Sequence, residues 1–304
     1  MNYSATSPAG EQAMLGASDF RMIRDKVYQY CGVDLEGKEI LVQSRLSKKL
    51  RQLNLSSFKE YCRLVESDVS QQSFTEMIDA LTTNHTSFFR EPRHFAFLRE
   101  TILPSIAPGN GLKVWSAACS TGEEPYSIAF TLLEEMGEVA LSRASITATD
   151  ISTRVLKRAA SGIFAATAMK DVPQTTLKRW CLRGVGDHAA ECLVKPEVRR
   201  MIDFQQLNLL HDCSSVGPFH VIFCRNVLIY FDRETQQQVI DNLTSRLLPG
   251  GYLLIGHAES LSGINHSLET ICSATFRKAG GGTVRRETRR EFAGIGGRGG
   301  CNTR

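Results

Sequence analysis

The feature that most constrains the fold is the run Phe219-His220-Val221-Ile222-Phe223-Cys224-Arg225-Asn226-Val227-Leu228-Ile229-Tyr230-Phe231. It is apolar almost throughout, apart from the polar pair Arg225-Asn226 that interrupts it. A run this short and this apolar reads as a strand buried on both faces, the condition of a parallel sheet covered by helices. Ligands of open α/β sheets sit beyond the carboxyl ends of the strands. Arg225, Asn226 and the nearby Tyr230 therefore stand where chemistry is expected.

An α/β rhythm surrounds this strand. Residues 112–117, 144–150, 202–208 and 252–256 read as further strands, and 275–277 as the end of a last one. Helices are expected over 123–136, with Pro125 in the first turn, and over 233–248, stopped by Pro249-Gly250-Gly251. Alternating strands and helices predict a parallel sheet covered on both faces. The preceding segment has helical spacing only. Phe20, Ile23 and Val27 share one face, Leu46, Leu50 and Leu53 another, and Phe58, Tyr61, Leu64 and Val65 follow. Phe95, Leu98 and Ile102 predict one more helix, closed by Pro104 and Pro108.

The expected organisation is a disordered N-terminus (1–17), a helical domain (18–81), a linker (82–94), an α/β domain (95–279) with a small β-subdomain near 180–200, and a disordered basic Gly/Arg-rich tail (280–304). Residues 277–304 carry eight Arg or Lys against two Glu, a net +6, so the rest of this +4 chain is near −2. The folded part is close to neutral, and a nucleic-acid footprint is not supported there. No stretch approaches the roughly 18 apolar residues of a membrane span, and no signal-peptide pattern opens the chain. A cytoplasmic protein without membrane insertion is expected. The nine cysteines form no C-x-x-C pair. Cys119 and Cys224 read as small apolar fillers.

The first βα turn decides the ligand class. A dinucleotide fold needs G-x-G-x-x-G there, so that backbone approaches a pyrophosphate at a helix N-terminus. This turn is Ala118-Cys119-Ser120-Thr121-Gly122-Glu123-Glu124, with one glycine, two acids and no P-loop lysine. Two carboxylates repel a pyrophosphate and welcome a cation, such as the ammonium of a methionine moiety. Asp150 ends the second strand, 26 residues after Glu124, where an acid accepts both hydroxyls of a ribose. Asn208-Leu209 follows the third strand, where an amide and an apolar side chain suit an adenine. An ammonium partner, a ribose partner and an adenine clamp without a phosphate site together suggest S-adenosylmethionine.

Four motifs carry a closer resemblance. Thr82-Thr83-Asn84-His85-Thr86-Ser87-Phe88-Phe89-Arg90-Glu91, Trp115-Ser116-Ala117-Ala118-Cys119-Ser120-Thr121-Gly122-Glu123-Glu124-Pro125-Tyr126-Ser127-Ile128-Ala129, Phe223-Cys224-Arg225-Asn226-Val227-Leu228-Ile229-Tyr230-Phe231-Asp232 and Gly256-His257-Ala258-Glu259-Ser260 resemble the CheR family, the bacterial chemotaxis receptor glutamate methyltransferases. The resemblance runs over about residues 18–278. It implies an α/β, Rossmann-like class I S-adenosylmethionine-dependent methyltransferase domain with a small all-helical N-terminal domain that contacts the receptor. It implies a protein-glutamate O-methyltransferase acting on the cytoplasmic helical region of chemoreceptors, with S-adenosylhomocysteine as product and no metal. Carried over by motif, Asn84, Thr86 and Arg90 line the cofactor site from the linker. Glu124 meets the methionine ammonium, Asp150 the ribose, and Asn208, Leu209, Asn226 and Val227 surround the adenosyl group. Arg90 and Tyr230 are the positions associated with the reaction itself.

Such a reaction needs no general base, because a glutamate is already ionised at neutral pH. No Ser-His-Asp or Cys-His set is evident in the chain. His85 and His257 read as site-wall residues and His94 as a helix-surface residue. Arg45, Lys48, Lys49 and Gln52 fall on one helical face, a candidate contact for an acidic receptor helix. Some family members also dock on a receptor C-terminal peptide through the β-subdomain. Residues 182–191 correspond to it and keep Gly184 and Gly186, but lack a further glycine expected near Ala190 or Glu191. Two rival readings are a cofactor-binding regulatory relative without turnover and a nicotinamide-dependent oxidoreductase, the latter disfavoured by the missing glycine fingerprint.

Overall fold

The computed structural model describes residues 13–106 and 111–280. Residues 1–12 and 281–304, most of the two ends expected to be disordered, lie outside the described range, as does Pro108. The N-terminal part is built from α1 (Ala17–Cys31), α2 (Glu39–Gln52), α3 (Phe58–Ser67) and α4 (Gln72–Leu81). On α1 the buried residues Phe20, Ile23, Val27 and Cys31 recur at helical spacing. Gly32 then takes φ 68° and donates its N–H to the Tyr28 carbonyl, ending the helix with a left-handed cap. Ser57 caps α3, its side chain accepting from the Glu60 N–H. The inward faces meet in one apolar cluster that includes Val42, Leu46, Leu50, Phe58, Tyr61 and Met77. Leu53, expected on the face of Leu46 and Leu50, is 41% exposed. It stands just past the end of α2 and so leaves the helical stripe.

After the linker come α5 (Arg93–Phe97), a π-helical turn (Leu98–Ile102) and α6 (Leu103–Ser105). Pro104 lies in the last turn of this continuous helical run, just after the π-helical turn in which the Leu103 N–H donates to the Leu98 carbonyl, and the run ends at Ser105. The α/β domain follows as β1 (Leu112–Ala117), α7 (Glu123–Met136), α8 (Ala140–Arg143), β2 (Ala144–Asp150), α9 (Thr153–Ser161), β3 (Ile163–Ala165), α10 (Gln174–Trp180), β4 (Cys181–Arg183), β5 (Glu191–Val194), α11 (Pro196–Arg199), β6 (Ile202–Gln206), β7 (Phe219–Cys224), α12 (Arg233–Ser245), β8 (Leu247–Ile255), β9 (Leu268–Cys272) and β10 (Thr275–Lys278). Seven strands form one sheet in the order β6-β2-β1-β7-β8-β10-β9. A separate antiparallel sheet of three strands, β3-β5-β4, is inserted between α9 and β6.

The large sheet is mixed rather than parallel throughout. Strands β6, β2, β1, β7 and β8 are parallel, but β10 lies antiparallel between β8 and β9. Only Ser273 and Ala274 separate β9 from β10, and Ala274 takes φ 59°. So short a link makes a hairpin, whereas a parallel pair needs a crossover of a dozen or more residues. Pro249-Gly250-Gly251, expected to stop a helix reaching 248, lies inside β8, and α12 ends at Ser245. The β7–β8 register slips between Phe219↔Leu247 and Val221↔Tyr252, so the Pro-Gly-Gly occupies an irregularity where proline is tolerated. A Cβ on Gly251 would lie 2.9 Å from the Leu248 carbonyl and 3.0 Å from that of His220.

The helical domain roofs the carboxyl edge of the sheet. Val33 bridges to Phe231 beyond β7, and the Asp34 N–H donates to the Tyr230 carbonyl at 3.0 Å. Asn208, beyond β6, donates its amide to the Tyr30 carbonyl. Arg154, at the start of α9, donates to the Asp79 carbonyl at 2.8 Å. No helix among the described residues is long and apolar enough to cross a membrane. Leu46 is fully buried in the helical cluster. Leu46→Ala is expected to destabilise the protein by about 2–5 kcal/mol, measured by urea unfolding, because its neighbours collapse only in part into the gap.

Candidate functional site

The order of the strands reverses between β1 and β7, and a crevice opens beyond their carboxyl ends. Asn84, Thr86, Arg90, Glu124, Asp150, Asn208, Leu209, Asn226, Val227 and Tyr230 all line this one cavity. They come from five places: the linker, the start of α7, the end of β2, and the loops after β6 and β7. From the helical domain, Leu35, Lys38 and Leu41 close its upper side.

The loop between β1 and α7 turns sharply. Ala118, Ser120 and Gly122 take φ of 61°, 50° and 100°, a conformation costly for residues that carry a Cβ. At Gly122 an added Cβ would sit 2.9 Å from Ala159 Cβ, so the glycine lets α7 start against α9. The turn is held from both sides. Ser120 N–H donates to Asp150 Oδ2 at 2.9 Å, and Ser120 Oγ donates to the Asn84 carbonyl at 3.1 Å, tying the linker to β1. Asp150 Oδ1 accepts from the Ser152 N–H at 2.9 Å. Burial raises the Asp150 carboxyl above its ordinary range, against those two N–H bonds. Each carboxylate oxygen thus has one backbone donor and an acceptor position to spare.

At the other end of the cleft a buried cation organises the acids. The Arg225 side chain is 2% exposed. Its Nη1 donates to Glu124 Oε2 at 2.9 Å, while Glu124 Oε1 accepts from Ser116 Oγ at 2.6 Å. Nη2 donates to the Arg90 carbonyl and, at 3.1 Å, to Glu91 Oε2. Glu91 Oε1 accepts from Asn226 Nδ2 at 3.1 Å and from the His257 N–H at 3.2 Å. Burial works to raise the Glu91 carboxyl, but the bonds from Asn226 and Arg225 outweigh it and hold it below the usual value. Glu91 and Phe89 take φ of 56° and 51°, so the linker that carries Arg90 is bent where Arg225 grips it. Arg90 lies at the cavity wall with Nη1 donating to the His85 carbonyl at 2.8 Å.

Glu91, Ser116 and Glu259 were not singled out from sequence, and Arg225 was placed where chemistry is expected but given no partner. Arg225 had a signal, because a charge inside an apolar run must be paired if it is buried. Its partners, Glu91 and Glu124, lie 134 and 101 residues away and could not be named. Arg45, Lys48 and Lys49 do not line the cavity. Arg45 donates to the Leu81 and Thr82 carbonyls and to Thr83 Oγ1, bracing the start of the linker. Lys49 pairs with Glu76 at 2.8 Å, and Lys48 remains exposed on α2. The thiols of Cys119 and Cys224 are pushed well up by burial, which suits fillers and not nucleophiles.

His94 is not a surface residue. It is 2% exposed, its ring 4.6 Å from that of His257. Helix α5 turns it inward beneath Arg225, a position that helical spacing alone did not reveal. Its Nδ1 lies 3.5 Å from Glu91 Oε2, and neither ring nitrogen makes a hydrogen bond among the described residues. Glu91, His94 and His257 bring ligand-type atoms within 4.8 Å of one another. Both Glu91 oxygens already accept bonds, Oε2 from Arg225 and Oε1 from Asn226 and the His257 N–H, so Glu91 reads as part of a hydrogen-bonded wall with the His94 ring packed beside it. Burial, then the charge of Arg225, lowers the His94 pKa to about 3. An unfolded histidine takes up its proton near pH 6.5 and His94 in the fold does not, so stability from this group is lost as pH falls below that value. Replacing His94 with glutamine is expected to flatten the stability-versus-pH curve between pH 6.5 and 3 by up to about 1.4 kcal/mol per unit, read by urea unfolding.

Comparison with known proteins matches residues 18–82 to the family model "CheR methyltransferase, all-alpha domain" and residues 84–277 to "CheR methyltransferase, SAM binding domain". A chemotaxis protein methyltransferase 2 of Pseudomonas aeruginosa is 39% identical, covering 86% of this chain and 93% of its own. Chemotaxis protein methyltransferases of Klebsiella aerogenes and Escherichia coli are each 41% identical, covering 90% and 83% of this chain and 96% and 87% of their own.

Proposed function

The chain belongs to the CheR methyltransferase family, and from that premise we propose that it transfers a methyl group from S-adenosylmethionine to glutamate side-chain carboxylates of methyl-accepting chemotaxis receptors. The products are glutamate methyl esters and S-adenosylhomocysteine, and the role is sensory adaptation. The observation that carries this reading is the charge pattern of the cleft. Acids stand at the start of α7, where a dinucleotide fold places a glycine cradle for phosphate, and Asp150 ends β2, where a ribose is held in either case. The residues fit the cofactor. Glu124 offers a carboxylate to an ammonium, Asp150 keeps an acceptor position on each oxygen for ribose hydroxyls, and Asn208, Leu209, Asn226 and Val227 surround the space left for an adenosyl group. Asn84 and Thr86 complete that wall from the linker.

When bound, S-adenosylmethionine supplies a methyl already activated by a sulfonium. The chain needs to hold an ionised glutamate in line with it and to exclude water. Arg90 presents its guanidinium at the cavity wall, and a fork of N–H donors matches a carboxylate. Tyr230 lines the same wall, and its hydroxyl is the donor available there. Leu35, Leu41 and Leu81 of the helical domain line the cleft with apolar surface.

The methyl acceptor lies on the cytoplasmic helical region of the receptor, so the enzyme works in the cytoplasm. Lys48 on the exposed face of α2 steers that acidic helix, with Arg45 and Lys49 beside it. A receptor C-terminal peptide docks on the three-stranded sheet, where Leu182 and Val185 are 49% and 82% exposed.

Incubation with labelled S-adenosylmethionine and a chemoreceptor cytoplasmic fragment is expected to give protein-bound label released as methanol by alkali. Alkali-stable label, or none with several receptors, overturns the reading. In the same assay Arg90→Ala is expected to lower kcat at least about 100-fold, since positioning of the reacting groups supplies much of the rate. Normal turnover in that variant removes the role of Arg90. Lys48→Glu is expected to raise the receptor KM several-fold at low salt, with the difference shrinking at high salt and cofactor KM unchanged.

A further inference from the structure

Glu259 is a largely buried carboxylate that the reaction does not use. It follows β8 by four residues and folds back on that strand's end. Oε2 accepts the Gly256 N–H at 2.5 Å and the Asn226 N–H at 2.9 Å, and Oε1 accepts the Ile229 N–H at 3.3 Å. Gly256 leaves β8, whereas Asn226 and Ile229 leave β7. One side chain thus joins the carboxyl ends of two neighbouring strands through three backbone donors. The approach is close enough to demand glycine, because a Cβ on Gly256 would lie 2.8 Å from Glu259 Oε2 and 2.5 Å from Asn226 Nδ2.

The held amides belong to the cleft. Asn226 takes φ 58°, a left-handed conformation outside any regular element. That turn aims its side chain at Glu91 and places Asn226 and Val227 on the cavity wall. Ile229 N–H is the donor immediately before Tyr230, which lines the same wall. The Tyr230 carbonyl receives the Asp34 N–H from the helical domain at 3.0 Å, but nothing from the sheet side other than Glu259 anchors the amide of Ile229 among the described side-chain contacts. Burial raises the Glu259 carboxyl above its ordinary value, so the fold tolerates an expensive buried acid at this point.

We propose that Glu259 is a positioning residue for methyl transfer, fixing the Asn226–Tyr230 loop in the conformation that receives the adenosyl group and presents Tyr230. It rests on the reading of the cleft as the cofactor site. An amide is the discriminating replacement. Gln keeps the shape of Glu but puts an NH2 donor where backbone N–H groups already point, so one amide loses its acceptor. A carboxylate on the shorter Asp retains the acceptors.

The test is calorimetric titration of the full chain with S-adenosylhomocysteine, paired with methyl-transfer kinetics, for the unaltered protein, Glu259→Gln, Glu259→Asp and Gly256→Ala. Glu259→Gln and Gly256→Ala are expected to weaken cofactor affinity about tenfold and to lower kcat, with receptor KM unchanged and Glu259→Asp restoring part of the loss. A merely structural role lowers the fraction of folded protein and the thermal midpoint but leaves the dissociation constant and KM of the folded fraction in place. That result, in either Glu259→Gln or Gly256→Ala, overturns the proposal. If the unaltered chain fails to bind S-adenosylhomocysteine, the cofactor reading falls and this inference with it.

Discussion

The site depends on one buried guanidinium. Arg225 ends the most apolar strand of the sheet, and its side chain is 2% exposed. A charge taken out of water at that depth is costly unless it is paired and hydrogen-bonded. The chain meets that demand with Glu124 from α7, Glu91 from the linker and the Arg90 carbonyl. These partners come from two separate parts of the cleft wall: the acid at the start of α7 and the linker segment that carries Arg90. Removing one member of such a buried set costs on the order of 3–5 kcal/mol, because the others are left uncompensated. The electrostatics that satisfies Arg225 therefore also assembles the site, and the linker bends at Phe89 and Glu91 to serve it.

The backbone is strained in the same neighbourhood. Ala118, Ser120, Asn226, Phe89 and Glu91 all carry left-handed φ values, and all lie in the loops and linker around the carboxyl edge of the sheet. Such conformations persist only where surrounding contacts over-determine them. Here the contacts are few and specific: Asp150 on the Ser120 amide, Ser127 Oγ on the Phe89 amide, Glu259 on the Asn226 amide. Each is a side-chain oxygen holding a backbone N–H, so the loops are fixed by hydrogen bonds that leave the cleft side open to a ligand.

The parts of the fold carried by periodicity were legible in the sequence. The helical stripes of α1 to α3 and the apolar strands β1, β2 and β7 follow from spacing and burial alone. Strand β9 and the reversed direction of β10 did not. Leu268–Cys272 has one buried residue in five and alternates weakly, and direction is set by the two-residue link, which composition does not announce. Pro249-Gly250-Gly251 misled for a related reason, since these residues mark a stop in a helix and an irregularity in a strand equally well. At the site, residue types at strand ends pointed to Glu124, Asp150 and Asn226. The long-range pairs, Arg225 with Glu91 and Asn226 with Glu259, are facts of three-dimensional packing. His94 shows the same limit from the other side: it stands four residues before the buried Leu98 and so shares its face, but a histidine at such a position does not announce that it is buried.

The arrangement of charge also explains why a small helical domain is joined to this sheet. Carboxylate methylation uses a weak, already ionised nucleophile, so rate must come from alignment and from removing water that would solvate it. A bare sheet edge leaves its crevice open to solvent. The helical domain covers that edge through backbone contacts at Val33, Asp34 and Tyr30 while contributing apolar Leu35 and Leu41 to the upper wall. Arg45 of α2 reaches the Leu81 and Thr82 carbonyls and fixes where the linker begins, and Arg225 fixes where it ends. Two arginines from opposite domains thus hold the two ends of the segment that carries Asn84, Thr86 and Arg90. The wall of the cleft is thereby fixed to both domains through a single stretch of chain.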